Sequence, residues 1–424
     1  VMQSQKSNIY MDLAGSDLDQ SMQDALLYTI NGVLYNFGDH HKSNNYSFKG
    51  NIKVLLRRLF LRFYCFRFFF KSKSNQRVII SSAYVDIESP GHCLVSPPWL
   101  MSLKKRSFSS WRLSNIVRRI QAELEKKSLR VIFSNIFFSL LKSYELEFRR
   151  LLKSENVACL IVPNDLALFE NLSIKIAQSV NIPTIVYLHG LPGRYNSIDD
   201  NRADYLVVWG KGLKEEYINA GMPANKILTL KHPVYSSFEQ YSLRSSFENV
   251  VVISKAMSGT PSSSDEVILS DRSKSLYYIE RVKQLLVEMG VKSAKLRLHP
   301  SESESFYLKN IMDGFYSIDY DNKITTLAKA SLVIGPTSTM ALDAIKNGVN
   351  YILFDPIVDG KTLENTESLV KPFDGSSFIR LSKGSDDFKR NISNPNDNIN
   401  ITLLNEYMSV NDDDINTFLE IISR

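Results

Sequence analysis

Three short stretches concentrate side chains suited to holding a phosphate. In Leu332-Val-Ile-Gly-Pro-Thr-Ser-Thr-Met-Ala-Leu-Asp-Ala-Ile-Lys-Asn-Gly348, an apolar run turns at Gly335-Pro336 into a helical pattern that starts on the hydroxyls of Thr337, Ser338 and Thr339. Unpaired N–H groups and the positive dipole end at such a start attract an anion, and the hydroxyls add donors; the same residues also suit a plain helix cap. In Lys295-Leu-Arg-Leu-His-Pro300, strand alternation puts Arg297 and His299 on one side, and Pro300 ends the strand so that His299 reaches a rim. Imidazole and guanidinium both donate to phosphate, although Arg297 is equally able to make a structural ion pair. Third, His189-Gly190 closes an apolar run, lets a backbone approach a ligand closely, and opens a loop with Arg194 as a second donor toward an acceptor or a carboxylate.

Other candidates carry less. His232-Pro233 reads as a structural strand end beside a hinge. Asp165, in Pro163-Asn-Asp165, is either an inward acid or a cap for a helix near Leu168. Asp412-Asp413-Asp414 reads as a cap run. The six histidines include no HExxH or HxH pair, and Cys65, Cys93 and Cys159 have no CxxC spacing, so neither a bound metal nor a disulfide framework is expected. A reducing, cytoplasmic setting follows, and the first residues lack the pattern of a secretory leader.

Charge is uneven. Residues 51–150 hold 20 Lys/Arg against 6 Asp/Glu, net +14, so the rest sums to −8 of the overall +6. Within that block, the basic aromatic segment 52–73 carries Phe60, Phe63, Phe66, Phe69 and Phe70 interrupted by Lys53, Arg57, Arg58, Arg62 and Arg67. Charges at that spacing exclude a bilayer-spanning helix; they fit either an interfacial helix on an anionic membrane or a core helix with snorkelling arginines. No zinc finger, RNP-like run or basic heptad array accompanies them, so nucleic acid is not an expected partner.

The elements that must position these residues alternate. With 424 residues, 44% hydrophobic and 23% charged, the chain has globular composition and room for two or three domains. After a polar start with one helix over 21–36, the pattern predicts strands at 77–81, 158–163, 184–188 and 205–209 with helices at 113–127, 135–152 and 168–180. A second series follows the polar stretch 234–249, which reads as a hinge: strands 250–254, 295–298, 332–334 and 351–354, with helices 275–289, 303–313 and 338–347. Helical segments 401–408 and 415–422 close the chain. Two α/β Rossmann-like domains are expected, facing a central cleft, with C-terminal helices crossing back. The expected boundaries are 1–235 for the N-terminal acceptor domain, 250–395 for the donor domain and 396–424 for the returning helices.

The order His-Gly, hinge, Asp-bearing loop, His-Pro, then strand-Gly-x-Thr-Ser-Thr-helix resembles bacterial GT-B glycosyltransferases that use CMP-activated ulosonic acids, the Kdo transferases of capsule and O-antigen assembly and bacterial sialyltransferases. The resemblance covers roughly Val157 to Asp355. It implies that His299-Pro300 and Ser338-Thr339 hold the CMP phosphate; the residue types themselves add Arg297, Gly335 and Thr337 to that site and turn His189, Gly190 and Arg194 toward the acceptor glycan or glycolipid or toward the donor's carboxylate. The resemblance also implies a carboxylate nucleophile in the loop after strand 250–254, Asp265 first, with Glu266 and Asp271 as alternates and Asp165 as acid/base. The inverting sialyltransferases' Asp/Glu-Asp-Gly tripeptide is missing, and Asp199-Asp200-Asn201 is the nearest acidic pair. No metal or other cofactor is implied, since CMP leaves as a single phosphate. The expected place of work is the cytoplasm, including the inner face of its membrane. The alternatives are an inverting sialyltransferase, a GT-B polyol phosphotransferase with a CDP-activated donor, and a membrane-bound scaffold with a degenerate nucleotide site.

Overall fold

The structure is a computed structural model that describes residues 77–83, 91–100, 110–124, 129–192, 194–233, 242–255, 272–299, 304–311, 314–358, 360–363, 369–376, 378–393 and 401–423, with isolated positions between them. Two separate parallel sheets form its frame. The first orders β1 (Arg77–Ser81), β2 (His92–Ser96), β3 (Arg106–Ser107), β4 (Val157–Val162), β5 (Thr184–Tyr187), β6 (Tyr205–Val208) and β7 (Ile227–Thr229) as β3-β2-β1-β4-β5-β6-β7. The second contains β8 (Val250–Ile253), β9 (Ala294–Arg297), β10 (Tyr316–Ile318), β11 (Leu332–Gly335), β12 (Tyr351–Phe354) and, after a small hairpin of β13 (Ile357–Val358) and β14 (Lys361–Thr362), β15 (Arg380–Ser382). Its order is β10-β9-β8-β11-β12-β15. Strands buried on both faces require cover on both, and β4, β8, β11 and β12 are buried at every position.

The cover is helical. In the first domain, α1 (Trp111–Leu124), α2 (Leu129–Ile132), α3 (Asn135–Ser154), α4 (Leu168–Gln178) and α5 (Lys211–Asn219) surround the sheet. Ser134 starts α3 by accepting the Phe137 amide at 3.2 Å. Phe137, Leu140, Leu141, Tyr144, Phe148 and Leu152 then recur at three- and four-residue spacing and are buried, so one stripe of α3 meets the core. The second domain has α6 (Arg272–Glu288), α7 (Glu304–Asn310), α8 (Lys323–Lys329), α9 (Met340–Lys346) and α10 (Ser385–Ser393). The expected frame is therefore present.

The last two helices, α11 (Ile401–Tyr407) and α12 (Ile415–Ser423), return to the first domain. Tyr407 enters the first core, whereas Leu404 and Met408 enter the second. Phe418, Ile421 and Ile422 of α12 join the first core, roughly 1.5–3 kcal/mol of burial for each. The acidic run between the two helices does more than cap: Asp414 accepts the Thr229 amide at 2.7 Å and Asp412 the Lys231 amide at 3.1 Å, covering the open edge at β7. Close passage of α11 over α5 demands glycine at position 210, where a Cβ would overlap the Glu406 carbonyl.

The stretch expected to be a hinge is different in its second half. Arg244 exchanges backbone hydrogen bonds with Gly348 (2.8 Å) and Asn350 (3.0 Å), and its guanidinium reaches the carbonyls of Leu327, Ala328 and Asn347. A cation thus serves the carbonyl ends of both α8 and α9, which fixes this segment to the second domain. Residues 234–241 lie outside the described set.

Candidate functional site

In each sheet the chain runs outward over three strands and then returns to the other side of its starting strand, leaving a crevice beyond the carboxyl ends of β1 and β4 and of β8 and β11. At the second crevice, Lys255 follows β8 and donates its ammonium to Thr337 Oγ1, 2.6 Å away, beyond β11. The turn after β11 is clamped by Tyr351, whose hydroxyl donates to the Pro336 carbonyl at 2.5 Å and occupies the space a side chain at Gly335 would need. Gly335 therefore shapes the turn by letting Tyr351 pass. His299 is exposed at the end of β9, and its amide donates to Ser254 Oγ and to Glu302, both at 3.1 Å. Glu302 also accepts the hydroxyls of Ser254 and Tyr307. This carboxylate locks the His-Pro turn against the end of β8.

Two expectations change here. Arg297 is committed elsewhere: β9 ends at Arg297, whose guanidinium donates to Asp319 (2.7 Å), the Asp321 carbonyl (2.9 Å) and Thr326 (2.9 Å). The buried Asp319 carboxylate needs a partner, and the structural ion pair takes Arg297 out of the phosphate set. The helix after β11 begins at Met340, with Thr339 at its N-cap and no side-chain capping bond. Ser338 Oγ accepts the Met340 amide at 3.2 Å, Thr337 is engaged by Lys255, and Thr339 Oγ1 accepts the Leu191 amide from the opposite domain at 2.9 Å. In so short a helix, the full charge of Lys255 dominates the anion field.

The first domain's crevice faces this one. Gly190 lies so close that a Cβ would sit 3.0 Å from Thr339 Oγ1. His189 Nδ1 is 2.8 Å from the Pro163 carbonyl, which can only accept, so Nδ1 carries the proton and Nε2 is the basic nitrogen. On the other side of β4, Ser82 pairs its amide with the Ile161 carbonyl, and its buried hydroxyl has no hydrogen-bond partner among the described residues. Arg194 forms an exposed pair with Asp199 at 3.0 Å.

Asp165 is neither a helix cap nor an accessible acid. Its carboxylate is 0% exposed and accepts the amides of Asp200 (3.0 Å) and Arg202 (2.8 Å) and the Arg202 guanidinium (3.2 Å). Asp200, at φ 61°, curls the backbone into a nest that points both amides at this anion. Capping near α4 falls instead to Asn164, which accepts the Leu166 and Ala167 amides. Burial and then the Asp165 charge push the Asp200 carboxyl up to about 6, while the Tyr217 hydroxyl, donating at 2.8 Å, opposes them. His232 packs edge-on to Trp209, and burial pushes its imidazole down to about 4, which fits the structural reading.

Asp265, Glu266, Asp271 and Pro300 lie outside the described residues, as does the segment 52–73 except Leu56 and Leu59, both helical and exposed. Among the described residues, no cluster of three or more His, Cys, Asp or Glu side chains is placed to hold a metal ion, and no helix is long and apolar enough to cross a membrane. Sequence reading passed over Lys255, Ser82 and Glu302. The first two had a usable signal, lying one residue (Ser82) and two residues (Lys255) past an apolar strand that borders a crevice.

No protein-family model and no curated protein sequence matches the chain. Among solved structures it is similar to the UDP-GlcNAc 2-epimerase of Neisseria meningitidis bound to UDP-GlcNAc (TM-score 0.45, 9% identity, covering 86% of this chain and 97% of that one). It is also similar to the lipopolysaccharide outer core galactosyltransferase WaaB (TM-score 0.38, 11% identity, 82% and 95% covered) and to Acinetobacter baumannii MurG (TM-score 0.38, 10% identity, 67% and 78% covered). At such identities the roles of individual residues rest on this chain's own geometry.

Proposed function

We propose that this protein is a glycosyltransferase that moves an ulosonic acid, of the Kdo or sialic-acid type, from a CMP donor to a sugar of a bacterial surface polysaccharide. The observation that supports this reading is the pair of facing crevices, one bordered by Lys255 and Thr337, the other by His189, whose Nδ1 faces the Pro163 carbonyl. A departing CMP places one phosphate in the crevice, where the Lys255 ammonium and the Ser338 and Thr337 hydroxyls neutralise it as the glycosidic bond breaks. His299 lies alongside as a further donor.

In this reading the acceptor hydroxyl approaches from the first domain. His189 Nε2 takes its proton, the role that the burial of Asp165 leaves open. Asp265 attacks the anomeric carbon first, giving a covalent glycosyl intermediate that the acceptor oxygen then displaces with net retention. Glu266 and Asp271 are its alternates in the same loop. The acceptor is a glycan or glycolipid, and segment 52–73 supplies an anionic-membrane contact from the cytoplasmic side.

The test is transfer from radiolabelled CMP-Kdo and CMP-sialic acid to oligosaccharide acceptors. Asp265→Asn is expected to abolish transfer while CMP affinity stays within a few fold. Turnover close to the parent's in that variant contradicts the covalent route, and absence of binding to either donor removes the assignment.

A further inference from the structure

A second pocket of about 500 Å³ opens between α6 and α10, over the ends of β12 and β15. It lies on the sheet face whose core holds Tyr278 and Phe388, whereas α9 and Leu191, which make the contact between the domains, pack on the opposite face. Nothing in the transfer reaction described above uses it. Its volume is ample for a small ligand, since such sites span roughly 300–1,000 Å³.

We infer that this pocket is a separate carbohydrate-binding site that takes a neutral oligosaccharide segment. One wall is apolar and exposed, with one aromatic ring: Tyr277 keeps 42% of its surface on a helix that buries Tyr278 and Ile279, and Ile357 of the hairpin keeps 53%. The other wall is polar and held in place. Arg281 donates to Ser385 Oγ at 2.6 Å and to Gln284 at 3.0 Å, which fixes its guanidinium as a flat fork of donors. Formal charges cancel, Arg281 and Lys383 against Glu280 and Asp387. A phosphate or nucleotide therefore meets no net attraction, and Asp386 and Asp387 already complement the start of α10. Sugars match this lining in kind: ring C–H faces lie on an aromatic side chain while vicinal hydroxyls pair with planar polar groups. The lining chemistry alone selects this ligand class, whatever the cleft transfers.

Gly384 supplies a clean probe. A Cβ there meets nothing within 4 Å, and its backbone does not need the left-handed region, so a side chain is accepted at its root and Gly384→Trp is placed to fill the pocket mouth. The full chain is applied to an array of immobilised neutral and acidic oligosaccharides and, in parallel, titrated with CMP. The parent is expected to retain at least one neutral oligosaccharide. Gly384→Trp and Tyr277→Ala are each expected to lose that signal at least tenfold with CMP titration unchanged. No retained oligosaccharide, undiminished signal in both variants, or a change in CMP binding with the oligosaccharide loss overturns the proposal.

Discussion

At the scale of single residues, a buried carboxylate and a half-buried neighbour behave oppositely. Asp165 is an anion solvated by two amides and a guanidinium. Asp165→Ala is expected to cost about 3–5 kcal/mol, because it leaves those donors buried without their acceptor. Chemical denaturation measures this loss. Asp200 carries the reverse burden. Its folded pKa of about 6 lies above the unfolded value, so the folded state binds the extra proton and stability falls as pH rises from about 4 to about 6. Asp200→Asn, which still accepts from Tyr217, is expected to stabilise the protein by about 1–3 kcal/mol at pH 7.5, with the gain vanishing by pH 4. Thermal midpoints of parent and variant across that range check the sign. His232 has the opposite sign: its depressed imidazole contributes stability above pH 6.5 that is lost as pH falls toward about 4.

Elements were legible where burial was two-sided and obscure where it was not. The strands at Val157, Thr184, Val250, Leu332 and Tyr351 stand out because runs of Val, Ile and Leu have no other use between helices. β2, β3, β10 and β15 escaped because they are short or mixed with polar residues; β3 and β10 need only one neighbour. The site was legible only in part. His299 and Thr337 stand out in the sequence by their position after strands, but alternation puts Arg297 beside His299, and it cannot reveal that the buried Asp319, twenty-two residues on, claims the guanidinium. Contacts such as Leu191 to Thr339 have no local signature either, since 148 residues separate the partners. Two element-scale outcomes follow. Gly210→Val is expected to prise α11 from α5, costing about 1–3 kcal/mol and raising hydrogen exchange in residues 401–423, because the Glu406 backbone cannot yield as a side-chain tip would. Arg244→Met is expected to cost a similar amount and to raise exchange at the ends of α8 and α9.

Across the whole molecule, the two sheets present their carboxyl ends to each other, and the chain crosses between domains twice. The second crossing, through α11 and α12, contributes to both cores, so the domains are joined by packing as well as by a linker. Thr339 and Leu191 then set how near the two crevices stand. The central claim is that a nucleotide phosphate binds beside Lys255 in the second crevice, and calorimetric titration of CMP into the parent protein and into Lys255→Ala tests it most directly. The expected result is saturable binding by the parent, weakened at least tenfold by the substitution, a loss of about 1.4 kcal/mol or more. Absence of binding by the parent, or equal affinity in the two proteins, would contradict the claim.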